Sequence, residues 1–151
     1  MNAKPNIVFG EVLFDIFPDK RYMGGAPFNF AFHLHCLGMP VIFISRVGDD
    51  PLGQEVFDFA DRYSFSVKGI QTDVKHTTGE AQVSLASNGS PKFKIMPDRA
   101  YDYIELNPFL RTLLKDAPPL VYYGTLAQRN TVSRNTIRDT LQKLSNHSIL
   151  F

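Results

Sequence analysis

The chain has 151 residues, about one domain, and its 16 Lys and Arg residues nearly balance 15 Asp and Glu residues. This charge balance gives no reason to expect a nucleic-acid or membrane-surface partner, and no apolar run is long enough to cross a membrane. The single cysteine, Cys36, excludes a disulfide within the chain. Because Cys36 falls in an apolar helical pattern, we expect a small core residue, and a reducing cytoplasm is the default location.

The first 70 residues alternate strand and helix patterns. In chain order they predict a buried strand at 6–17 that turns into a second strand, a helix at 27–37, a strand at 41–44, a helix that begins at 51, and a strand at 66–70. Pro27 near the first turn and Gly38 just past the end bound the first helix. Asp50 before Pro51 is typical of a capped helix start.

Residues 79–96 break this rhythm. Apolar and polar residues alternate across 81–86 and again across 92–95, and Asn88-Gly89 between them is a strong hairpin signal. We predict a two-stranded ribbon with one apolar and one polar face. An isolated ribbon is marginally stable, so its apolar face needs a cover.

The strand and helix rhythm then resumes to the end of the chain. We predict a short helix that opens at Asn107-Pro108, a strand at 120–123, a helix at 131–144 and the start of another strand at 148–151. Alternation of this kind predicts an α/β fold, with a mostly parallel sheet and helices on both faces. Because the last strand has no helix after it, we expect the fold to be incomplete in this chain.

The run from Gly24 to Gly48, GGAPFNFAFHLHCLGMPVIFISRVG, carries the strongest functional signal. Two adjacent glycines allow a ligand to approach the backbone without a Cβ in the way. Asn29 follows within about one helical turn and offers both a donor and an acceptor. This combination suits a small polyhydroxylated ligand better than a purely structural turn.

The same run resembles the N-terminal signature of the PfkB (ribokinase-like) family of carbohydrate kinases. The positions that match are Gly24, Gly25, Pro27, Asn29, Ala31, Gly38 and Gly48, and the order GGAPFNFA is closest to the fructokinase branch. The resemblance implies a ribokinase-like fold that transfers the γ-phosphoryl group of ATP, with Mg²⁺, to a hydroxyl of a fructose-like sugar. It also implies that the 79–96 hairpin is a lid over the sugar, through which two subunits can pair as a homodimer.

The resemblance covers residues 1–151 but only the N-terminal half of a family member. The family's Gly-Ala-Gly-Asp motif, whose Asp is the catalytic base, does not occur here, and neither does a Walker-type phosphate loop. We therefore expect the C-terminal ATP-binding half to be absent, no catalytic residue to lie in this chain, and the chain alone to be inactive.

The resemblance implies four main sugar ligands. Asp15 would accept hydrogen bonds from sugar hydroxyls, Gly24 and Gly25 would present backbone to the sugar, and the Asn29 amide would bind one or two hydroxyls. On structural grounds alone, Asp15 could instead be a turn residue before Pro18, and Asn29 could be a helix cap.

Weaker candidates lie on the lid and after a later strand. Gln82 on the polar face of the ribbon could reach the sugar, Phe93 could stack on it or simply pack, and Thr125 follows the strand that ends at Gly124. An ordinary surface hairpin remains an alternative for the ribbon.

Other charged groups point to no site. His33 and His35 would project in different directions from a helix, which is poor for a shared metal ion. The charged stretch that contains Arg99 and Asp102 is expected to be solvated, and Arg129 could approach an anion.

Two functional alternatives stay open. One is a non-catalytic carbohydrate-binding or interaction module that keeps only the front of the fold. The other is a kinase of the same family for another acceptor, such as ribose, a keto-deoxy sugar acid or a nucleoside, because specificity depends on pocket shape.

Overall fold

The computed structural model describes residues 3–85, 89–115 and 117–144. The strands are β1 (Asn6–Phe9), β2 (Leu13–Ile16), β3 (Arg21–Gly24), β4 (Val41–Gly48), β5 (Ile70–Asp73), β6 (Gly79–Leu85), β7 (Pro91–Ile95) and β8 (Val121–Tyr123). The helices are α1 (Ala26–Cys36), α2 (Pro51–Arg62), α3 (Pro108–Leu113) and α4 (Thr131–Lys143), with short 3₁₀ turns at Ala100–Tyr103 and Leu126–Gln128. Among the helices of the described residues, none has both the length and the apolar character needed to cross a membrane.

A parallel sheet with strand order β5-β4-β1-β8 forms the centre of the molecule. Side chains alternate across β1, so Val8 packs with α1 and α2 on one face, while Ile7 and Phe9 pack with α3 and α4 on the other. Both faces are therefore buried. This confirms the predicted parallel sheet with helices on both sides.

A second sheet, which we call the lid sheet, has the strand order β3-β2-β6-β7. The hairpin predicted at 79–96 supplies β6 and β7, which pair antiparallel with Val83 opposite Phe93. The ribbon is not isolated, because β2 pairs parallel to β6 and places Asp15 opposite Ala81. No pattern in the sequence indicated β3, or the pairing of β2 with the ribbon.

The cap predicted at Asp50 is confirmed, and it also fastens helix α2 to the lid sheet. The Asp50 carboxylate accepts hydrogen bonds from the Gly53 N–H at 2.8 Å and from the N–H and hydroxyl of Thr78 at 2.7 and 2.8 Å. Burial alone would raise the pKa of Asp50, but these hydrogen bonds outweigh it and hold the pKa below its usual value. Thr78 immediately precedes β6, so the cap also positions the start of the lid.

Two local predictions are wrong. Cys36 is exposed at the end of α1, because the buried face of that helix is formed by Pro27, Phe28, Ala31 and Leu34. The strand predicted at 66–70 begins only at Ile70, whose N–H bonds the Val67 carbonyl in a turn. The predicted strand at 148–151 and Asn88 of the predicted hairpin turn lie outside the described residues.

Candidate functional site

The first strand, the last strand and the first helix meet at the carboxyl edge of the parallel sheet. A Cβ built on Gly10, just after β1, would lie 2.4 Å from Cγ of Pro27 in α1. A Cβ on Gly124, just after β8, would lie 2.6 Å from the same atom. Glycine at both positions therefore allows the start of α1 to rest on this edge. In open α/β sheets, ligands bind outside the carboxyl ends of the strands.

Asp15 and Gly24 lie side by side at the base of the lid sheet. β2 and β3 are antiparallel, with Leu13 opposite Gly24, and a Cβ built on Gly24 would lie 3.7 Å from Oδ2 of Asp15. Asp15 is half-buried, and burial raises the pKa of its carboxyl. No hydrogen-bond donor among the described residues pairs with this carboxylate, which leaves it able to accept from a ligand.

Gly25 and Asn29 continue the same site into helix α1. Gly25 is the N-cap with φ of 107°, a left-handed conformation that favours glycine, and its carbonyl accepts the Asn29 N–H at 2.9 Å. A Cβ on Gly25 would lie 2.7 Å from the Glu11 carbonyl oxygen, so the backbone here is packed closely. The Asn29 side chain is exposed and does not cap the helix, which removes the alternative structural role.

The remaining three candidates are more dispersed. Gln82 is opposite Ile16, so strand alternation places it on the face of the lid sheet away from Asp15. Phe93 shares the Asp15 face and is 54% exposed, but it lies on β7, two strands away. Thr125 is exposed and follows Gly124 at the carboxyl edge.

A buried carboxyl group that the sequence analysis did not identify lies next to Gly25 and Gly124. Glu11 is only 5% exposed, and its Oε2 has no hydrogen-bond partner among the described residues. Burial raises the pKa of the Glu11 carboxyl. Hydrogen bonds from its own N–H and the Ala127 N–H, together with the positive charge of Arg129, lower the pKa, but burial outweighs them. Its signal in the sequence was a charged residue directly after the Gly that ends a buried strand.

Arg129 and Asp102 form an ion pair close by, contrary to the solvated stretch that we predicted. Asp102 is 1% exposed and receives two hydrogen bonds of 2.7 Å from Nε and Nη2 of Arg129. The Arg129 guanidinium also lies 5.1 Å from the ring centroid of Tyr101 and donates to the Met96 carbonyl. Arg129 therefore links the 3₁₀ turn at Ala100–Tyr103 to the segment after β8.

A cavity of about 660 Å³ lies on the reverse face of the lid sheet. It is lined by side chains of that sheet, including Ile16, Arg21 and Glu80, together with Asp50 and Arg99. None of the predicted sugar ligands lines it. The cavity and the proposed sugar site are therefore separated by the lid sheet.

The sequence of this chain is similar to those of several known proteins. Residues 4–130 match the model of the pfkB family carbohydrate kinases. A protein described as a sugar kinase from Pyrococcus horikoshii is 30% identical over 131 residues, which is 87% of this chain and 42% of that protein. Fructokinase-7 of Arabidopsis thaliana is 28% identical over 142 residues, which is 86% of this chain and 41% of that protein.

Solved structures show the same fold. The crystal structure of the Pyrococcus horikoshii sugar kinase superposes with a TM-score of 0.80 at 28% identity, and the match covers 95% of this chain and 50% of that one. A fructokinase with bound ATP from Xylella fastidiosa gives a TM-score of 0.83 at 22% identity and covers 98% of this chain and 51% of that one. The chain thus spans about two-fifths to half of the length of these relatives. With its matched family model, its ribokinase-like sheet and its signature glycines at the head of α1, the chain belongs to the pfkB family of carbohydrate kinases.

Proposed function

We propose that this chain is the sugar-binding half of an ATP-dependent carbohydrate kinase that phosphorylates a hydroxyl of a fructose-like sugar. The observation that carries the proposal is the half-buried Asp15 carboxylate, without a partner among the described residues, next to the side-chain-free backbone of Gly24. Relatives named fructokinase support fructose as the first sugar to test.

Each residue of the site makes a different kind of contact with the sugar. Asp15 accepts hydrogen bonds from sugar hydroxyls, and its partial burial strengthens them because the local dielectric is lower than in water. Gly24 and Gly25 let the sugar approach the backbone, and the Asn29 amide binds a further hydroxyl. Together these contacts hold one hydroxyl in a fixed direction, which phosphoryl transfer requires of its nucleophile.

ATP is the proposed phosphoryl donor, and the sugar kinase of Pyrococcus horikoshii has been crystallised in complex with ATP. Bound Mg²⁺ would neutralise charge on the phosphates. Within the described residues no group of three or more His, Cys, Asp or Glu side chains could hold a metal ion. The chain spans about half of the length of its solved relatives, and we assign ATP and Mg²⁺ to the part that it does not span and only the orientation of the sugar to this chain.

Binding and turnover by the 151-residue chain test this division directly. We expect isothermal titration to detect fructose binding, and a coupled ADP-release assay with fructose, ATP and Mg²⁺ to detect no turnover. Ribose and a keto-deoxy sugar acid, titrated in parallel, test the other acceptors. Steady ADP release that depends on fructose would contradict the division, and failure to bind any of these sugars would contradict the proposed site.

The lid sheet also supports a homodimer. The face that carries Asp15 exposes four large apolar side chains, namely Tyr22, Leu85, Phe93 and Ile95. The outer strand β7 is exposed along its whole length, and among the described residues no further strand pairs with its outer edge. We infer that a second copy covers this face, since exposed edges and apolar patches favour pairing.

Sedimentation velocity tests the dimer. We expect the wild-type chain to sediment as a dimer and Phe93→Lys as a monomer, because the substitution places a charge in the covered face. Lys94→Ser, on the same strand but the opposite face, is the matched control and should remain dimeric. A wild-type monomer at tens of micromolar would rule out this interface.

A further inference from the structure

Glu11 is a buried charged residue whose place in the molecule the proposed sugar contacts do not explain. It is 5% exposed, and its Oε2 atom has no hydrogen-bond partner among the described residues. A buried polar group without a hydrogen-bond partner destabilises the folded protein. We therefore look for a functional role that explains why Glu11 is at this position.

The two sides of Glu11 touch the two segments that border the sugar site. On one side, a Cβ on Gly25 would lie 2.7 Å from the Glu11 carbonyl oxygen and 3.4 Å from its Cγ. On the other side, a Cβ on Gly124 would lie 2.9 Å from Oε2 of Glu11. Both neighbours are glycines, so the Glu11 side chain lies directly against these two backbone segments, with the Pro27 ring also in contact with Gly124.

The segment after β8 is held from its other side as well. Arg129 is tied to the buried Asp102 by two hydrogen bonds, and the Ala127 N–H faces the Glu11 carboxyl. Residues 124–129 are thus fixed between Asp102 and Glu11. A change in the length of the Glu11 side chain would be transmitted to Thr125, because Asp102 prevents the far end of the segment from following.

We propose that Glu11 is a positioning residue of the sugar site, whose side chain sets the spacing between the Gly24–Gly25 turn and residues 124–129. The spacing brings the Gly25 backbone and Thr125 to the same ligand. This inference rests on the proposed sugar-binding function, and it adds a residue that does not itself touch the sugar.

Fructose titrations of three Glu11 variants test the spacing. Glu11→Ala removes the side chain, and we expect about a tenfold or greater loss of fructose affinity, which corresponds to about 1.4 kcal/mol or more of binding free energy. Glu11→Gln keeps the shape and should rescue affinity to within about threefold of wild type, while Glu11→Asp, one methylene shorter, should fall between them. Affinity is measured at a temperature where melting curves show each variant folded, so loss of stability alone does not count as loss of binding.

Ser133→Ala is the matched control. Ser133 is fully buried and its hydroxyl bonds the Ile104 N–H and the Tyr101 carbonyl, away from the Gly24–Gly25 turn. We expect its melting temperature to fall while its fructose affinity stays at the wild-type value.

The outcomes separate this inference from the proposed function. Wild-type affinity in folded Glu11→Ala, or in Glu11→Asp if the alanine variant does not fold, would overturn the positioning role. Equal losses in Glu11→Ala and Glu11→Gln would also overturn it, because charge rather than spacing would then be responsible. If the wild type binds no sugar, or if Asp15→Asn leaves binding intact, the sugar site itself is misplaced and both proposals fall.

Discussion

Replacing Asp15 by Asn is expected to weaken fructose binding by roughly 10- to 150-fold, because a hydrogen bond to a charged acceptor contributes about 1.5–3 kcal/mol. Asn keeps the size of the side chain but loses the negative charge and one of the two accepting oxygens. Since Asp15 is half-buried at the surface of the lid sheet and has no partner among the described residues, we expect little change in melting temperature. Isothermal titration with fructose, together with thermal unfolding, separates the two effects.

Asp19→Asn is the matched control for this prediction. Asp19 lies in the same part of the chain and is exposed, but it lines the cavity on the reverse face of the lid sheet. We expect its fructose affinity to stay at the wild-type value. Equal losses in the two variants would indicate a general electrostatic effect and would remove Asp15 from the site.

The pH dependence of fructose binding gives an independent test of the role of Asp15. Burial raises the pKa of its carboxyl above the ordinary value of 3.8. The ionised form accepts the sugar hydroxyls, so affinity is present above this pKa and is lost as the pH falls through it. The loss should therefore begin at a higher pH than for a solvated aspartate, and Asp15→Asn should flatten this part of the profile.

Gly25→Ala is expected to destabilise the protein strongly. The residue has φ of 107°, and the added Cβ would lie 2.7 Å from the Glu11 carbonyl oxygen, which is backbone and cannot swing away. Strain and overpacking together should lower the free energy of unfolding by roughly 2–6 kcal/mol. A loss of this size is a large fraction of the roughly 5–15 kcal/mol that stabilises a typical domain, so a urea or thermal melt should show it directly.

Gly24→Ala, one residue earlier, should behave in the opposite way. Its φ is not positive, and among the described residues only Oδ2 of Asp15 would lie near the added Cβ, at 3.7 Å, an ordinary contact distance. We expect a melting temperature near that of the wild type but weaker fructose binding, because the new methyl group stands where the sugar would approach. Identical stability losses in the two alanine variants would show that the turn is not constrained as the geometry requires.

Local patterns identified most elements of the α/β core. These patterns are the apolar runs, the helix caps at Asp50 and Asn107, and the helix end at Gly38. Each depends only on neighbours a few residues away along the chain, so it can be recognised in a single sequence. The motif GGAPFNFA likewise indicated its family, because its glycines, proline and asparagine lie within a few residues of one another along the chain.

The lid sheet could not be predicted in the same way. The parallel pairing of β2 with β6 joins residues that are more than sixty positions apart, such as Asp15 and Ala81. Strand alternation shows that Gln82 and Ala81 face opposite sides, but only this pairing shows which side holds Asp15.

By itself the sequence determined the family, the alternation of strands and helices, and the residue types of the proposed sugar ligands, because each of these is encoded in residues that are close together along the chain. Only the tertiary structure decided that Glu11 is buried between Gly25 and Gly124, and that Asp102 is paired with Arg129 rather than solvated. The physical reason is that burial and ion pairing depend on which distant segments meet at the carboxyl edge of the sheet. A charged residue in a sequence looks the same whether water or another segment surrounds it.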